Sequence, residues 1–312
     1  GATTATAAVV LIYTSNEVTT DFVIGDITVT DCTNAAFTGS SAVYGSTCTV
    51  AADSTPTVLV AAETFNDATG NDNSVSNTYT WTQDDTGPTM TITSDTVASG
   101  ATTATAAVVL IYTSNEVTTD FALVDITVTE CVQSAFTAEN GGLIYGSTCT
   151  EDSNGVTPTV LVAVNKFTDA TSNNNQVSNT YTWTYDTAKP SMVITSTAGT
   201  ADGGTSGVAA FALTFTSSET TANFIVTDIT ATGTGGADGC TLGAFNQGNT
   251  AAIYTATCTP DNAGETVNVL VAGDTYTDTA GNDNAVSNTF GFRLSFRTLG
   301  DFGSDLNDFS GG

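Results

Sequence analysis

The amino-acid sequence predicts an all-β chain of three tandem β-sandwiches, on three observations. The first is internal repetition. Gly1–Phe22 and Gly100–Phe121 are letter-for-letter identical. DITVTDC at Asp26–Cys32 returns as DITVTEC at Asp125–Cys131, PTVLVA at Pro56–Ala61 returns at Pro158–Ala163, and VSNTYTWT at Val75–Thr82 returns at Val177–Thr184. A divergent third copy keeps TFTSSETTANF, DITATG, VNVLVA, YTDTAGNDN and VSNTF between Thr214 and Phe290. The period of about 100 residues is the size of a domain rather than of a solenoid turn. The second observation is period-two alternation rich in Val, Ile and Thr, with no stretch of helical period. The third is that the 6 cysteines fall two to each copy.

In the second copy the expected strands lie near Thr89–Ser94, Thr102–Thr113, Phe121–Thr129, Ser134–Thr137, Leu143–Thr150, Thr157–Val164 and Gln176–Tyr185. Turn-forming segments (DTVASG, SNEVTTD, ENGG, EDSNG, DATSNNN) separate them. About seven short strands per hundred residues suggest an immunoglobulin-like sandwich, an unrelated two-sheet sandwich being the other reading. The expected domains are 1–86, 87–188 and 189–296, followed by a tail at 297–312. The second copy opens with PTMTITSD and the third with PSMVITST, whereas the first starts at what is elsewhere the second strand.

The pattern P-x-M-x-I-x-S-D, then S-x-E-x-x-x-x-F-x-x-x-D-I-x-V, then F-x-D-A-x-G-N-x-N resembles bacterial Ig-like repeats of large secreted adhesins and biofilm proteins. The resemblance covers nearly all of Thr89–Tyr185, most of Pro190–Phe290 and all but the first strand of Gly1–Thr82. It implies stalk modules, many of them calcium-binding, that hold a functional tip away from the cell. Cysteine is the departure, since such stalk repeats rarely carry it.

Equal numbers per copy and spacings of 16–18 residues suggest pairing within each domain: Cys32 with Cys48, Cys131 with Cys149, Cys240 with Cys258. Six cysteines formally allow 15 connectivities. Each bridge would tie the end of the DITVT strand to the later strand ending in T-C. The absence of CxxC spacing argues against redox catalysis and zinc fingers, and the expected compartment is oxidising and extracellular.

Charge removes several function classes. Lys+Arg is 4 against Asp+Glu 32, for a net charge of −28, and the whole basic complement is Lys166, Lys189, Arg293 and Arg297. Nucleic acid and anionic membranes are excluded as partners, because both are held by clustered basic residues. With no His, imidazole catalysis is absent. No apolar run reaches the length of a membrane span, so no membrane insertion is expected. The chain does not start with Met and has no leader-like segment, and is expected to be a mature product or a piece of a longer one. No N-x-S/T sequon occurs. Trp81 and Trp183 recur at equivalent strand positions and are read as packing residues.

The acidic residues follow a topological logic. In a seven-strand sandwich, the incoming linker, the loop after the second strand and the loop before the last strand share one end. For the second copy these segments hold Asp84 and Asp85, then Glu116 and Asp125, then Asp169, Asn173 and Asn175. The next junction would use Asp186, Glu219, Asp228, Asp278 and Asn282, with Lys189 close by and binding therefore weaker. The first copy keeps Glu17, Asp26, Asp67 and Asn71 but not the incoming linker. Crowded carboxylates need a counter-charge, and a hard cation with oxygen ligands, Ca²⁺ above all, fits. The competing reading is that D-x-A-x-G-N-x-N is only a turn whose Asp and Asn accept backbone N–H groups.

A sandwich without its first strand leaves an apolar groove and unpaired backbone. Either the natural chain continues upstream, or another subunit donates a strand, or the first domain is partly frayed beside a disordered tail. A candidate donor is the last strand, where Phe290, Phe292, Leu294 and Phe296 would share one face; head-to-tail donation of this kind does not close and builds fibres. The expected function is a structural, non-enzymatic segment of an extracellular stalk or filament, partnered by copies of itself or neighbouring repeats. The alternative is a calcium-dependent adhesin that binds a receptor or glycan, with the third-copy insertion Thr232–Gly239 as its candidate loop.

Overall fold

The computed structural model describes residues 1–118, 120–196, 201–207, 209–234, 239–262 and 264–295. Its elements are strands joined by turns, with three single-turn 3₁₀ helices; among the described residues no helix is long and apolar enough to cross a membrane. The fold is all-β and immunoglobulin-like. By contacts the chain forms two compact units, one of Gly1–Thr96, Val108–Thr150 and Thr159–Tyr181, the other of Val97–Ala107, Glu151–Pro158 and Thr182–Gly312. The second sequence copy contributes strands to both.

The second unit holds the most complete pair of sheets. One sheet runs in the order Met192–Ser196, Phe211–Ser217, Ile253–Pro260, Cys240–Gln247; the other runs Gly204–Ser206, Phe290–Leu294, Thr266–Val271, Ile229–Gly233. Strand alternation does the sorting. Phe211, Leu213 and Phe215 face inward and are fully buried, while Ala212 and Thr216 are exposed and Thr214 is half-buried. Val267, Val269 and Val271 close the core from the opposite sheet. Phe290–Leu294 pairs antiparallel with Thr266–Val271 and parallel with Gly204–Ser206. Phe292 packs on Phe211 with ring centroids 3.9 Å apart. Of the expected donor face, Phe290 and Phe292 are core residues of their own sandwich. Phe296 and the tail at 297–312 lie outside the described residues, as do 235–238 of the candidate adhesive loop.

In the first unit, Ala8–Thr19 pairs with Thr33–Thr49, and a second sheet orders Ile27–Thr30, Thr57–Val60 and Tyr79–Thr80. Leu11, Phe22, Val58, Val60 and Trp81 are the heart of the core between them. The same unit carries the sheet Val132–Glu139, Ile144–Thr150, Ala107–Ser114, Met90–Thr93 of the second copy.

The expected continuous strand 102–113 is broken. Thr102–Thr103 pairs parallel with Thr184–Tyr185, and the chain turns where the Thr105 N–H donates to Thr103 Oγ1 at 3.1 Å before Ala107–Ser114 begins. The expected strand 121–129 is likewise interrupted by the 3₁₀ turn Leu123–Asp125. The cysteines pair as expected: Cys32–Cys48, Cys131–Cys149 and Cys240–Cys258, with Cα atoms 5.6 or 5.7 Å apart.

One buried acid breaks the pattern. Where the first copy has Val50, packed in the same core as Trp81, the second has Glu151, 4% exposed. Burial pushes its carboxyl above the usual range, and its own N–H and the Trp183 indole offset this only in part. A group whose folded pKa is raised contributes stability that is present below its unfolded pKa and lost as pH rises through the folded value. Glu151→Gln is therefore expected to stabilise the protein at neutral pH by about 1 kcal/mol. The gain should shrink toward pH 4 in thermal melts; a gain independent of pH would show that Glu151 is not desolvated.

Candidate metal centre

Among the described residues two groups of three carboxylates emerge. In the first unit Asp84, Glu116 and Asp169 bring one oxygen each to within 4.8 Å of the others; in the second unit Asp186, Glu219 and Asp278 do the same. The three members come from the segment before the first strand, the turn after the second strand and the D-x-x-x-N turn before the last, as the topology requires.

The third member of each group is set rigidly. Thr118 forms an isolated bridge with Asp169, and Thr221 with Asp278, which fixes where each turn starts. Asp169 Oδ1 accepts the N–H groups of Thr171 at 2.8 Å and Asn173 at 2.9 Å, and its Oδ2 accepts the Asn173 amide at 2.9 Å. Burial pushes Asp169 upward, but those donors outweigh it and hold the carboxyl below the usual range. Asp278 repeats the arrangement with N–H groups of Ala280, Gly281 and Asn282 at 2.7–2.9 Å. Both aspartates are nearly inaccessible to solvent, at 6% and 2% exposed.

The glutamates feel the crowding. Burial raises Glu116, and the charges of Asp84 and Asp169 raise it further. Glu219 is raised by burial and then by Asp186 and Asp278. No basic residue answers them: among the described residues the one ion pair is Lys189–Asp274, at 3.2 Å and exposed. Lys189, expected to weaken the second site, is thus engaged by Asp274.

Other expected ligands are placed elsewhere. Asp125 accepts the Ala122 N–H at 2.8 Å, Asp26 that of Val23 at 2.8 Å and Asp228 that of Ile225 at 2.9 Å, so the acid of each DIT motif caps the local 3₁₀ turn. Asp85 turns to Asp53, whose Oδ1 accepts its N–H at 2.7 Å. The hydrogen bond between the two carboxyls raises Asp85. Asn173 and Asn282 direct their NH₂ groups at the carbonyls of Asp84 at 2.9 Å and Asp186 at 2.8 Å, so they enter as donors that tie turn to linker, not as oxygen ligands. Asn175 is buried away from the carboxylates. Its Oδ1 accepts two backbone N–H groups, and its Nδ2 donates to the carbonyls of Ala163 and Gln176. In the first copy Asp67 is held well below the usual carboxylate range by the Asn71 N–H and amide. Neither it nor Glu17 belongs to a three-acid group among the described residues.

The donor set suits a hard cation. Three carboxylates offer three to six oxygens, and calcium takes six to eight, the remainder coming from carbonyls and water. Soft or borderline metals would call for Cys or His, and every cysteine is in a disulfide.

Comparison with known proteins places the third copy first: residues 186–294 match the family model of the bacterial Ig-like domain, which the motifs shared by all three copies anticipate. No curated protein sequence matches the chain. Among solved structures, the chain is similar to invasin, a bacterial integrin-binding protein, at 13% identity over 93% of this chain and 57% of that one, TM-score 0.35. It is similar to InvD of Yersinia pseudotuberculosis at 16% identity over 66% of this chain and 57% of that one, TM-score 0.33. The D0–D1 domain of intimin gives 18% identity over 67% of this chain and 100% of that one, TM-score 0.22. The chain thus spans a little over half the length of the first two.

Proposed function

We propose that this chain is an extracellular spacer segment whose immunoglobulin-like modules are braced by Ca²⁺ at Asp84–Glu116–Asp169 and Asp186–Glu219–Asp278. One observation carries the reading: the same three-acid group recurs at equivalent positions of two copies, with no basic residue paired to it among the described residues. Duplicated modules suit a role in reach and stiffness, because a spacer gains from repetition where a unique site does not. The disulfides fit an oxidising, extracellular setting. In each group the linker aspartate would share its ion with two turns of the following module. Chelation is expected to lower the melting temperature and calcium to restore it; a midpoint indifferent to both would remove the metal from the account.

A further inference from the structure

The chain contains two Asn-Gly dipeptides, Asn140–Gly141 and Asn154–Gly155, both in the second copy. At such a pair the glycine nitrogen can reach the amide carbon of the preceding side chain, because no Cβ stands in the way and the glycine backbone turns freely. The structure treats the two pairs in opposite ways. Asn154 Oδ1 accepts the Thr187 N–H at 2.6 Å, and the Gly155 N–H donates to the Tyr185 carbonyl at 2.7 Å. Both reacting groups of this pair are therefore tied down, the side chain by one hydrogen bond and the nitrogen by another.

Asn140–Gly141 is the tip of the hairpin between Val132–Glu139 and Ile144–Thr150. Both residues are exposed, and their backbones are left-handed, with φ of 49° and 64°. A Cβ placed on Gly141 would meet nothing within 4 Å. The hairpin is held one residue further on, where the Gly142 N–H donates to the Glu139 carbonyl at 3.3 Å and the Gly142 carbonyl accepts the Thr118 N–H at 3.0 Å. Among the described residues no hydrogen bond engages the Asn140 side chain or the Gly141 N–H. The corresponding tips read Gly39-Ser40-Ser41 in the first copy and Gly248-Asn249-Thr250 in the third, and neither offers an Asn-Gly pair.

We propose that Asn140 is a site of spontaneous deamidation and that the fold protects Asn154 from the same reaction. The Gly141 nitrogen gives its proton to solvent and attacks Asn140 Cγ. The N–Cγ bond forms, the Cγ–Nδ2 bond breaks, and Nδ2 takes a proton from solvent and leaves as ammonia. Water then opens the cyclic imide at one of its two carbonyls. Opening at Cγ yields aspartate; opening at the main-chain carbonyl yields isoaspartate, in which the chain runs through Cγ. An amide and a water thus become a carboxylic acid and ammonia, with no oxidant or reductant involved. Either product adds a negative charge to the hairpin tip. Isoaspartate also lengthens the main chain by a methylene, close to the bond between Gly142 and Thr118. The inference does not depend on calcium, since no metal ligand takes part in it.

The test incubates the full chain at mildly alkaline pH, folded and in denaturant, until the denatured sample has reacted at both pairs. Each sample is then digested with chymotrypsin and mapped by mass spectrometry. In the folded chain the peptide holding Asn140 should show the mass gain of amide-to-acid conversion, split by chromatography into aspartate and isoaspartate forms. Its rate should rise with pH, because the attacking nitrogen must first lose its proton. Asn154 should react at least about tenfold more slowly, the worth of the two hydrogen bonds that must break first. In denaturant the two rates should converge, which assigns the difference to the fold rather than to neighbouring residues. Equal rates at the two pairs in the folded chain, faster reaction at Asn154, or an Asn140 that stays intact there would overturn the inference.

Discussion

Replacing Cys131 and Cys149 by serine is expected to lower the stability of the second sandwich by about 3 kcal/mol, the chain-entropy cost of releasing a loop of this length. The bridge joins Cys131, two residues past Ile126–Thr129, to Cys149 within Ile144–Thr150, with a sequence separation of 18. Cys149 is wholly inaccessible, so a serine hydroxyl there also needs a partner, which adds to the loss. With so few ion pairs and modules of about a hundred residues, no other single crosslink substitutes for it. In calorimetry one transition should move down by roughly 12–24 °C, at about 4–8 °C per kcal/mol for a domain of this size. The remaining transitions should stay in place. A shift of all transitions together would mean that the modules unfold as one cooperative body, and a shift under 5 °C that the bridge closes a loop already ordered without it.

Much of this architecture is legible in the letters. Repetition identifies the copies, alternation identifies Leu143–Thr150 and Thr157–Val164 as strands, found at Ile144–Thr150 and Thr159–Val162, and equal cysteine numbers point to the pairs. The triad Asp84, Glu116, Asp169 follows from topology alone, because the ends of a sandwich are determined by strand count. What topology does not tell is where each side chain turns. Asp125 sits in the same stretch as Glu116 in the motif, yet a 3₁₀ turn three residues long offers its carboxylate the Ala122 N–H, and that short-range bond wins. Asn173 has an oxygen and a nitrogen to present, and the nearby Asp84 carbonyl and Asp169 carboxylate select the nitrogen. Glu151 reads as a surface acid because burial beside Trp183 arises from strands far apart in sequence. One signal was missed: the asparagine of the VSNT segment, which recurs in every copy as Asn77, Asn179 and Asn288, four residues after the turn-closing Asn73, Asn175 and Asn284. Asn179 holds both the N–H and the carbonyl of Ile92, and Asn288 those of Ile194, so each ties the last strand segment to the first strand.

Glu116→Gln and Glu219→Gln together are expected to uncouple the protein from calcium without disturbing the turns. The glutamates are the right targets because the aspartates have a second task. Asp169 and Asp278 each accept several N–H groups that shape the turn, so their amides would cost stability with or without an ion. Glu116 and Glu219 have no such duty; they chiefly add negative charge to a crowded, half-buried place. With calcium at a hundred times its dissociation constant, each intact site should gain about 2.7 kcal/mol, and titration calorimetry of the parent should count two ions per chain. The double variant should bind neither and should melt at one temperature in chelator and in calcium. That temperature should lie above the parent's in chelator, because one of three mutually repelling charges is gone from each group, and below the parent's in calcium. The order of the three melts separates metal binding from turn-building. If the carboxylates only shape loops, neither the parent's melt nor the variant's moves with calcium concentration, and the two modules are held by backbone and disulfides alone.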